Sequence, residues 1–418
     1  MMSKKVLFLV PYVPNLIRVR PFNLIRGIAG RGHAVTLLTL WSDEAERATL
    51  EQIEPYVERV ISLRLPAWRV LLNAGNVLPT RRPLQSEYSW HPALARSLEE
   101  LTRAVHGNAF DVVHVEHLRG VKYGLTVKQR AAARGQRLPV LWDSVDSISL
   151  LFRQSAAQSR NLKSRALSYL DLGRTRRYEA WLPGQFDQVT VTSSNDRRAL
   201  LELAGGVQPE PEIAVLPNGV DLDYFTPNPA QPRSPDTLVV SGKMSYHANV
   251  TMVLQFCEQV LPLIWQRRPQ VRLEVVGKDP TPELLSLARN PQITVTGTVP
   301  HLPPYLQRAA VAVAPIAYGA GIQNKVLEAM ACETPVVVSS QAISTWPVRR
   351  GEDLLAADEP QEMAAQVLRL LEQPELRERV GRAGRCYVET HHHWGNVAAR
   401  LDELYDRAIR RAMSQSSR

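Results

Sequence analysis

The chain has 418 residues and no apolar run near the ~18 residues that a membrane-crossing helix needs. Cysteine is scarce: Cys257, Cys332 and Cys386 lie far apart and in no metal-ligand spacing. That excludes a disulfide framework and a zinc ribbon, and it predicts reduced thiols in a cytoplasmic protein. No G-x-G-x-x-G occurs, so a dinucleotide fingerprint is absent. The basic residues come without a recognisable nucleic-acid-binding motif, which argues against such a partner. Lys4-Lys5 and the run Val6 to Val10 resemble a leader only superficially. The run is too short and Pro11 and Pro14 end it, so a first β-strand is expected there.

What is present is an ordinary globular composition, 44% hydrophobic and 22% charged, long enough for two domains. The formal net charge of +9 calls for an anionic partner, and a phosphorylated substrate or an anionic lipid would meet it.

The most informative stretch runs from Val311 to Ser339. Val311 to Pro315 and Pro335 to Val338 read as buried parallel strands. Between them, Tyr318-Gly319-Ala320-Gly321 breaks the pattern, and from Gln323 the spacing turns helical, with Val326, Leu327, Met330 and Ala331 on one face. Strand, glycine loop, helix and strand make a βαβ unit whose loop lies where such sheets bind ligands. The N–H groups of Gly321, Ile322 and Gln323 would then point from the positive end of a helix, suited to a diphosphate. Lys325 adds a point charge in the first turn. Glu328, three residues on, shares its face and can accept hydrogen bonds from a pair of sugar hydroxyls. Together they suggest a nucleoside diphosphate site. An ordinary exposed ion pair between Lys325 and Glu328 is the plain alternative.

The pattern G-x-G-x-x-x-K-x-L-E-A-M-A followed by P-V-V resembles the donor-site signature of the GT-B retaining glycosyltransferases of family 4. The resemblance covers nearly the whole chain and is densest from Asn218 to Val338. It implies two Rossmann-like, doubly wound α/β domains facing across a cleft. It also implies that Glu328 binds the ribose and that the loop amides of Gly319, Gly321 and Ile322 bind the diphosphate. Two departures stand out. The family's first glutamate would fall at Ala320, so sugar recognition must differ. Glu333 replaces a helix-ending glycine, and a left-handed backbone there would cost ~1 kcal/mol.

Other segments fit the same picture. The loop Pro11 to Pro21 carries Arg18 and Arg20 and is expected at the carboxyl edge of the first sheet, with a helix from Arg20 to Arg31. Solvated arginines and an acceptor or phosphate role both remain open for them. A strand from Ala109 delivers His114, Glu116 and His117 to its exit. Family members often carry a histidine near the reacting sugar where Glu116 stands, and His114 also reads as a structural histidine. Asp143, at the exit of the strand Val140 to Asp146, is an acceptor-side candidate. Residues 152–177 are basic and read as an amphipathic helix, either a solvated face or a contact with an anionic membrane surface. Asn195-Asp196 is expected to cap a helix from Arg197 to Leu203. Pro217-Asn218-Gly219-Val220-Asp221 matches the family at the last strand of the first domain. Gly242 and Lys243 follow the first strand of the second domain. The resemblance places Lys243 at the diphosphate, with Lys325 replacing an absent second basic residue and Val299 lining the nucleobase pocket.

The expected domains are 1–225, a Pro-rich linker 226–236, a donor domain 237–390, and a C-terminal segment 391–418 whose helix crosses back to the first domain. His391-His392-His393 reads as a linker rather than a metal tract. No Asp-x-Asp stands where a metal would be demanded, and no cofactor or metal is expected. The expected function is that of a metal-independent retaining hexosyltransferase. It would use a nucleotide-diphospho-sugar and a glycan or lipid-linked acceptor, in exopolysaccharide or cell-envelope glycan synthesis, in the cytoplasm or on the inner membrane face. A sugar-nucleotide epimerase and a non-catalytic nucleotide-sugar-binding partner are the alternatives.

Overall fold

The computed structural model describes residues 3–16, 18–103, 109–158, 162–205, 211–316, 323–344 and 346–414, without the side chains of 155, 157–158 and 162–168. The chain forms two compact units, Met1–Arg153 with Ser168–Pro217 and Trp394–Arg418, and Gln154–Leu167 with Asn218–His393. By contacts the change of unit falls at Pro217–Asn218, ahead of the expected boundary at residue 225.

The first unit is built on β1 (Lys5–Val10), β2 (Ala34–Trp41), β3 (Arg59–Arg64), β4 (Val112–Glu116), β5 (Val140–Val145), β6 (Gln188–Val191) and β7 (Ile213–Val215). They form one parallel sheet in the order β3-β2-β1-β4-β5-β6-β7. β1 shows why: Leu7 and Leu9 join one apolar cluster while Val6, Phe8 and Val10 join another, so both faces are covered. The helices that matter for the site are α1 (Val19–Gly30), α2 (Ala67–Val77), α3 (His117–Ala133), α4 (Ile148–Gln158), α5 (Leu162–Trp181) and α6 (Ser194–Leu203). α1 starts one residue before the expected Arg20. The cap of α6 is Ser193, whose hydroxyl accepts from Asp196 N at 3.2 Å, rather than Asn195-Asp196.

α5 corrects the expectation of an amphipathic helix over 152–177. In its described part the buried face is polar, with Asp171, Thr175 and Glu179 at helical spacing, while Tyr169 and Leu170 are exposed. Glu179 explains the inversion: its carboxylate accepts from Ile148 N at 2.7 Å and Ser149 N at 3.1 Å and so holds the N-terminus of α4. Arg160, Lys163 and Arg165 lie outside the described residues or side chains.

The second unit carries β8 (Ser234–Ser241), β9 (Arg272–Val276), β10 (Ile293–Val295), β11 (Ala309–Ala314), β12 (Val336–Val338) and β13 (Leu355–Ala356), parallel, in the order β10-β9-β8-β11-β12-β13. Since β8 begins at Ser234, the expected linker ends at Arg233. α7 (His247–Gln255), α8 (Asn324–Ala331) and α9 (Pro374–His391) pack on this sheet. Asp221-Leu222-Asp223 is a turn, in which the Asp221 carboxylate accepts from Asp223 N and Tyr224 N. The histidine tract is structural: His392 is buried with its Nδ1 2.8 Å from Asn218 O.

The last helix, α10 (Trp394–Ser414), belongs to the first unit and lies along α1. Gly27 permits the approach, since a Cβ there would sit 2.6 Å from Ala398 Cβ.

Candidate functional site

Each sheet reverses its strand order once, between β8 and β11 in the second unit and between β1 and β4 in the first. Ligands of open parallel sheets bind at the carboxyl ends of the strands beside such a point.

In the second unit β8 ends at Gly242, whose φ of +147° favours glycine. A Cβ at Gly242 would fall 2.9 Å from Asn249 Nδ2 and 3.4 Å from Lys325 Cε, so the lysine stem reaches across to the end of β8. Gly277, at the end of β9, lies closer still, because its Cβ would meet Gly242 O at 1.7 Å. Asn249 also donates to Lys243 O at 2.9 Å and fixes that loop, leaving the Lys243 side chain exposed. α8 begins at Asn324, and its side-chain Oδ1 accepts from Asn218 Nδ2 at 3.1 Å.

Lys325 and Glu328 are half-buried on one face of α8. Burial lowers the Lys325 ammonium to about 8, against the attraction of Glu328. Burial likewise raises the Glu328 carboxyl to about 7, against the attraction of Lys325. Yet no ion pair within 4 Å joins them among the described residues. Among the described residues the ammonium donates one hydrogen bond, to Gln323 Oε1 at 3.3 Å. The plain alternative of an exposed i,i+3 pair therefore does not describe this face. Gly319, Gly321, Ile322 and Ala320 lie outside the described residues, and Gln323 stands just before α8. Val299 is half-buried against the apolar core of this unit. At the other end of α8, Glu333 N donates to Met330 O and Thr334 N to Ala329 O, with Glu333 at φ +54°. That is the left-handed helix ending considered from the sequence.

In the first unit the expected acceptor-side residues separate into two groups. Arg20 sits in α1, almost fully buried, and holds Asp143 through Nε–Oδ2 at 2.9 Å and Nη2–Oδ1 at 3.1 Å. The guanidinium keeps the Asp143 carboxyl below its ordinary value against the effect of burial. His114 is sealed beside them, stacked on Phe8 with Nδ1 2.9 Å from Tyr405 OH, and burial lowers it to about 4. These three do not line an open surface. They are an internal brace, so the acceptor-side expectation is corrected for their side chains to a supporting position.

The second group surrounds the β1–β4 reversal point. Glu116 ends β4, and one carboxyl oxygen accepts from Tyr12 OH at 2.9 Å while Oε2, shut from solvent, has no partner among the described residues. Burial and the nearby Asp143 charge raise it to about 8, so it carries a proton at neutral pH. His117 opens α3 at φ +62°, an uncommon conformation for a residue with a side chain and one found at functional turns. Burial and Arg119 hold His117 neutral, at about 3. Arg18 pairs with Glu46 and lies over the Tyr12 ring at 4.7 Å. Tyr12 and Arg119 escaped the sequence reading, because a tyrosine in a loop and an arginine on a helix carry no motif.

Residues 19–224 match the family model described as Glycosyltransferase Family 4, and residues 235–373 the one described as Glycosyl transferases group 1. The chain is similar to a glycogen synthase of Mycobacterium tuberculosis, 27% identical over 238 residues, 54% of this chain and 56% of that one. It is also similar to a phosphatidyl-myo-inositol mannosyltransferase of that organism, 29% identical over 204 residues, 46% of this chain and 53% of that one. The chain thus spans little more than half the length of these curated relatives. A solved sucrose-phosphate synthase from Thermosynechococcus elongatus matches over 97% of this chain and 98% of its own, with a TM-score of 0.67 at 19% identity. Anabaena HepE in complex with UDP and glucose matches over 96% and 99%, with a TM-score of 0.65 at 14% identity. With the two parallel sheets, these neighbours show a two-domain, Rossmann-like GT-B fold.

Proposed function

We infer that this chain, which belongs to the group 1, family 4 glycosyltransferases, moves a sugar from a nucleotide-diphospho-sugar to a glycan or lipid-linked acceptor with retention of configuration. The observation that carries this reading is the α8 face, where Lys325 and Glu328 are partly desolvated, form no ion pair with each other among the described residues, and Lys325 reaches the glycine-built end of β8. A diphosphate would answer the ammonium, and ribose hydroxyls would answer the carboxylate. The complexes of HepE with UDP, glucose and UDP-glucose support a UDP-sugar as donor.

In this mechanism Lys325 and Lys243 stabilise the charge that develops on the departing diphosphate, the type of contribution that is usually largest. The departing phosphate takes the acceptor proton on the same face of the sugar, and neither metal nor cofactor is required. Glu116 is 1% exposed and its Oε2 is shut from solvent, so its expected catalytic part is corrected to a neutral acid that holds Tyr12 beneath the reversal point. The cellular role would be exopolysaccharide or cell-envelope glycan synthesis, in the cytoplasm. Exposed Tyr169 and Leu170 beside Arg176 and Arg177 on α5 favour peripheral attachment to an anionic membrane face.

The test is a thermal-shift comparison of UDP-, GDP-, ADP- and dTDP-sugars on the wild type and on Glu328→Ala. One nucleotide should raise the melting temperature of the wild type by several degrees and leave the variant unmoved. A flat response to all four would remove the donor site.

A further inference from the structure

Beside the β1–β4 reversal point the first unit has a pocket of about 460 Å³ that the catalytic reading leaves unused. Its floor comes from the exits of β1 and β2, including Tyr12 and Trp41, and α2 forms a wall through Val70 and Leu71. Most of that lining is apolar, with Leu40 and Leu65 completing it. The polar end is cationic and holds Arg18 and Arg119.

The two arginines differ. Arg18 already has Glu46 as its counter-ion. Arg119 lies over the Tyr88 ring at 4.7 Å, with its Nε shut from water and unbonded. Among the described residues its guanidinium has no hydrogen-bonded or ionic partner. Arg119 as a whole is only half-buried, so with no counter-ion among the described residues and a mainly apolar lining around it, its guanidinium suits an anionic ligand group.

The apolar wall also continues outward. Trp68, Leu71 and Leu72 share one side of α2 and are 58%, 73% and 52% exposed, and Leu78 beyond its end is 62% exposed. Leu71 belongs both to the pocket and to this outer stripe, so the stripe meets the pocket at Leu71. A soluble sugar has no use for such a stripe, whereas a hydrocarbon chain does.

We propose that this pocket binds the acceptor as a lipid phosphate, with its phosphate or diphosphate head on Arg119 and its hydrocarbon tail along Val70, Leu71 and the outer side of α2. This rests on the glycosyltransferase reading and narrows its acceptor to an anionic lipid. Arg18, already balanced by Glu46, lines the head end without adding a free charge.

Farnesyl phosphate, farnesol and inorganic phosphate are the probes, with binding followed by calorimetry on the full chain. Farnesyl phosphate should bind at least about tenfold more tightly than either of the others, since head and tail each contribute. Arg119→Gln and Leu71→Asp should each weaken it about tenfold or more, while both variants keep the thermal response to the donor nucleotide. That retained response shows that the variants are folded. Equal binding of farnesol would overturn the role of Arg119, and equal binding of inorganic phosphate would overturn the tail site. Undiminished binding in both variants would place the lipid elsewhere. A donor response without lipid binding sinks this proposal alone. Lipid binding without any donor response sinks the glycosyltransferase reading and leaves a lipid-phosphate site.

Discussion

Arg20, His114 and Asp143 in the first unit and Lys325 and Glu328 in the second are all charged or titratable groups drawn out of water near a strand-order reversal. They differ in what answers them. Arg20 and Asp143 answer each other through two hydrogen bonds, and His114 is closed in by Phe8 and Tyr405. Lys325 and Glu328 are shifted toward neutrality from opposite sides, and among the described residues no ion pair within 4 Å joins them. A buried charge with its partner in place is architecture. One that lacks an ionic partner is a candidate for a ligand, and this difference sets the brace apart from the proposed site more sharply than residue type does.

The strongest way to break the comparison is at the brace. Arg20→Ala takes the counter-ion from Asp143 in the interior, and chemical denaturation should show a loss of about 3–5 kcal/mol. A loss below 1 kcal/mol would mean that the pair is not structural. Lys325→Ala should act in the opposite manner. Its melting temperature should stay within a degree or two of wild type, while release of nucleoside diphosphate from the donor falls about 10²–10³-fold, roughly 2.7–4 kcal/mol. Equal damage to fold and turnover would erase the distinction.

Glu116 sharpens the contrast through pH. Its carboxyl is raised from 4.5 to about 8, so above pH 4.5 the folded chain holds a proton that the unfolded chain has released. This group therefore lowers stability as pH rises from about 4.5 to 8, by up to roughly 1.4 kcal/mol per pH unit. Glu116→Gln removes the proton exchange, so the variant should gain on wild type toward pH 8 in parallel denaturation series. A constant difference across that range would refute the neutral acid. The smallest effect belongs to Glu333→Gly, which relieves the left-handed backbone at φ +54°. About 1 kcal/mol, a rise of roughly 2–4 °C in melting temperature, is expected, and no rise would show that the glutamate is unstrained.

What was legible in the sequence was what is local. Apolar β-branched runs gave β1, β11 and β12 because strands covered on both faces need such runs. The G-x-G-x-x-x-K-x-L-E pattern gave α8 and its face because helical spacing sets neighbours. β3 was missed, since Arg59–Arg64 is an edge strand whose residues are only half-buried or exposed. Tyr12 on Glu116 and Arg20 on Asp143 join positions 104 and 123 residues apart, and no spacing rule reaches that far. On α5 the amphipathic reading missed only the inward face, which is polar because Glu179 is drawn inward by the amides of α4.

Arg233 lies inside the expected linker 226–236, and a reader of the sequence would discard it. Its guanidinium donates to the carbonyls of Leu306, Gln307, Ala309, Cys332 and Glu333 and to the Thr334 hydroxyl. It therefore clasps the end of α8 opposite to Lys325. Anyone excising the second unit to study donor recognition alone, and cutting where the proline-rich stretch ends, would discard that clasp. Such a fragment would bind nucleotide poorly for a reason unrelated to the nucleotide. A fragment begun at Asn218 would keep both Arg233 and the Asn218 contact to Asn324, and it is the one to make.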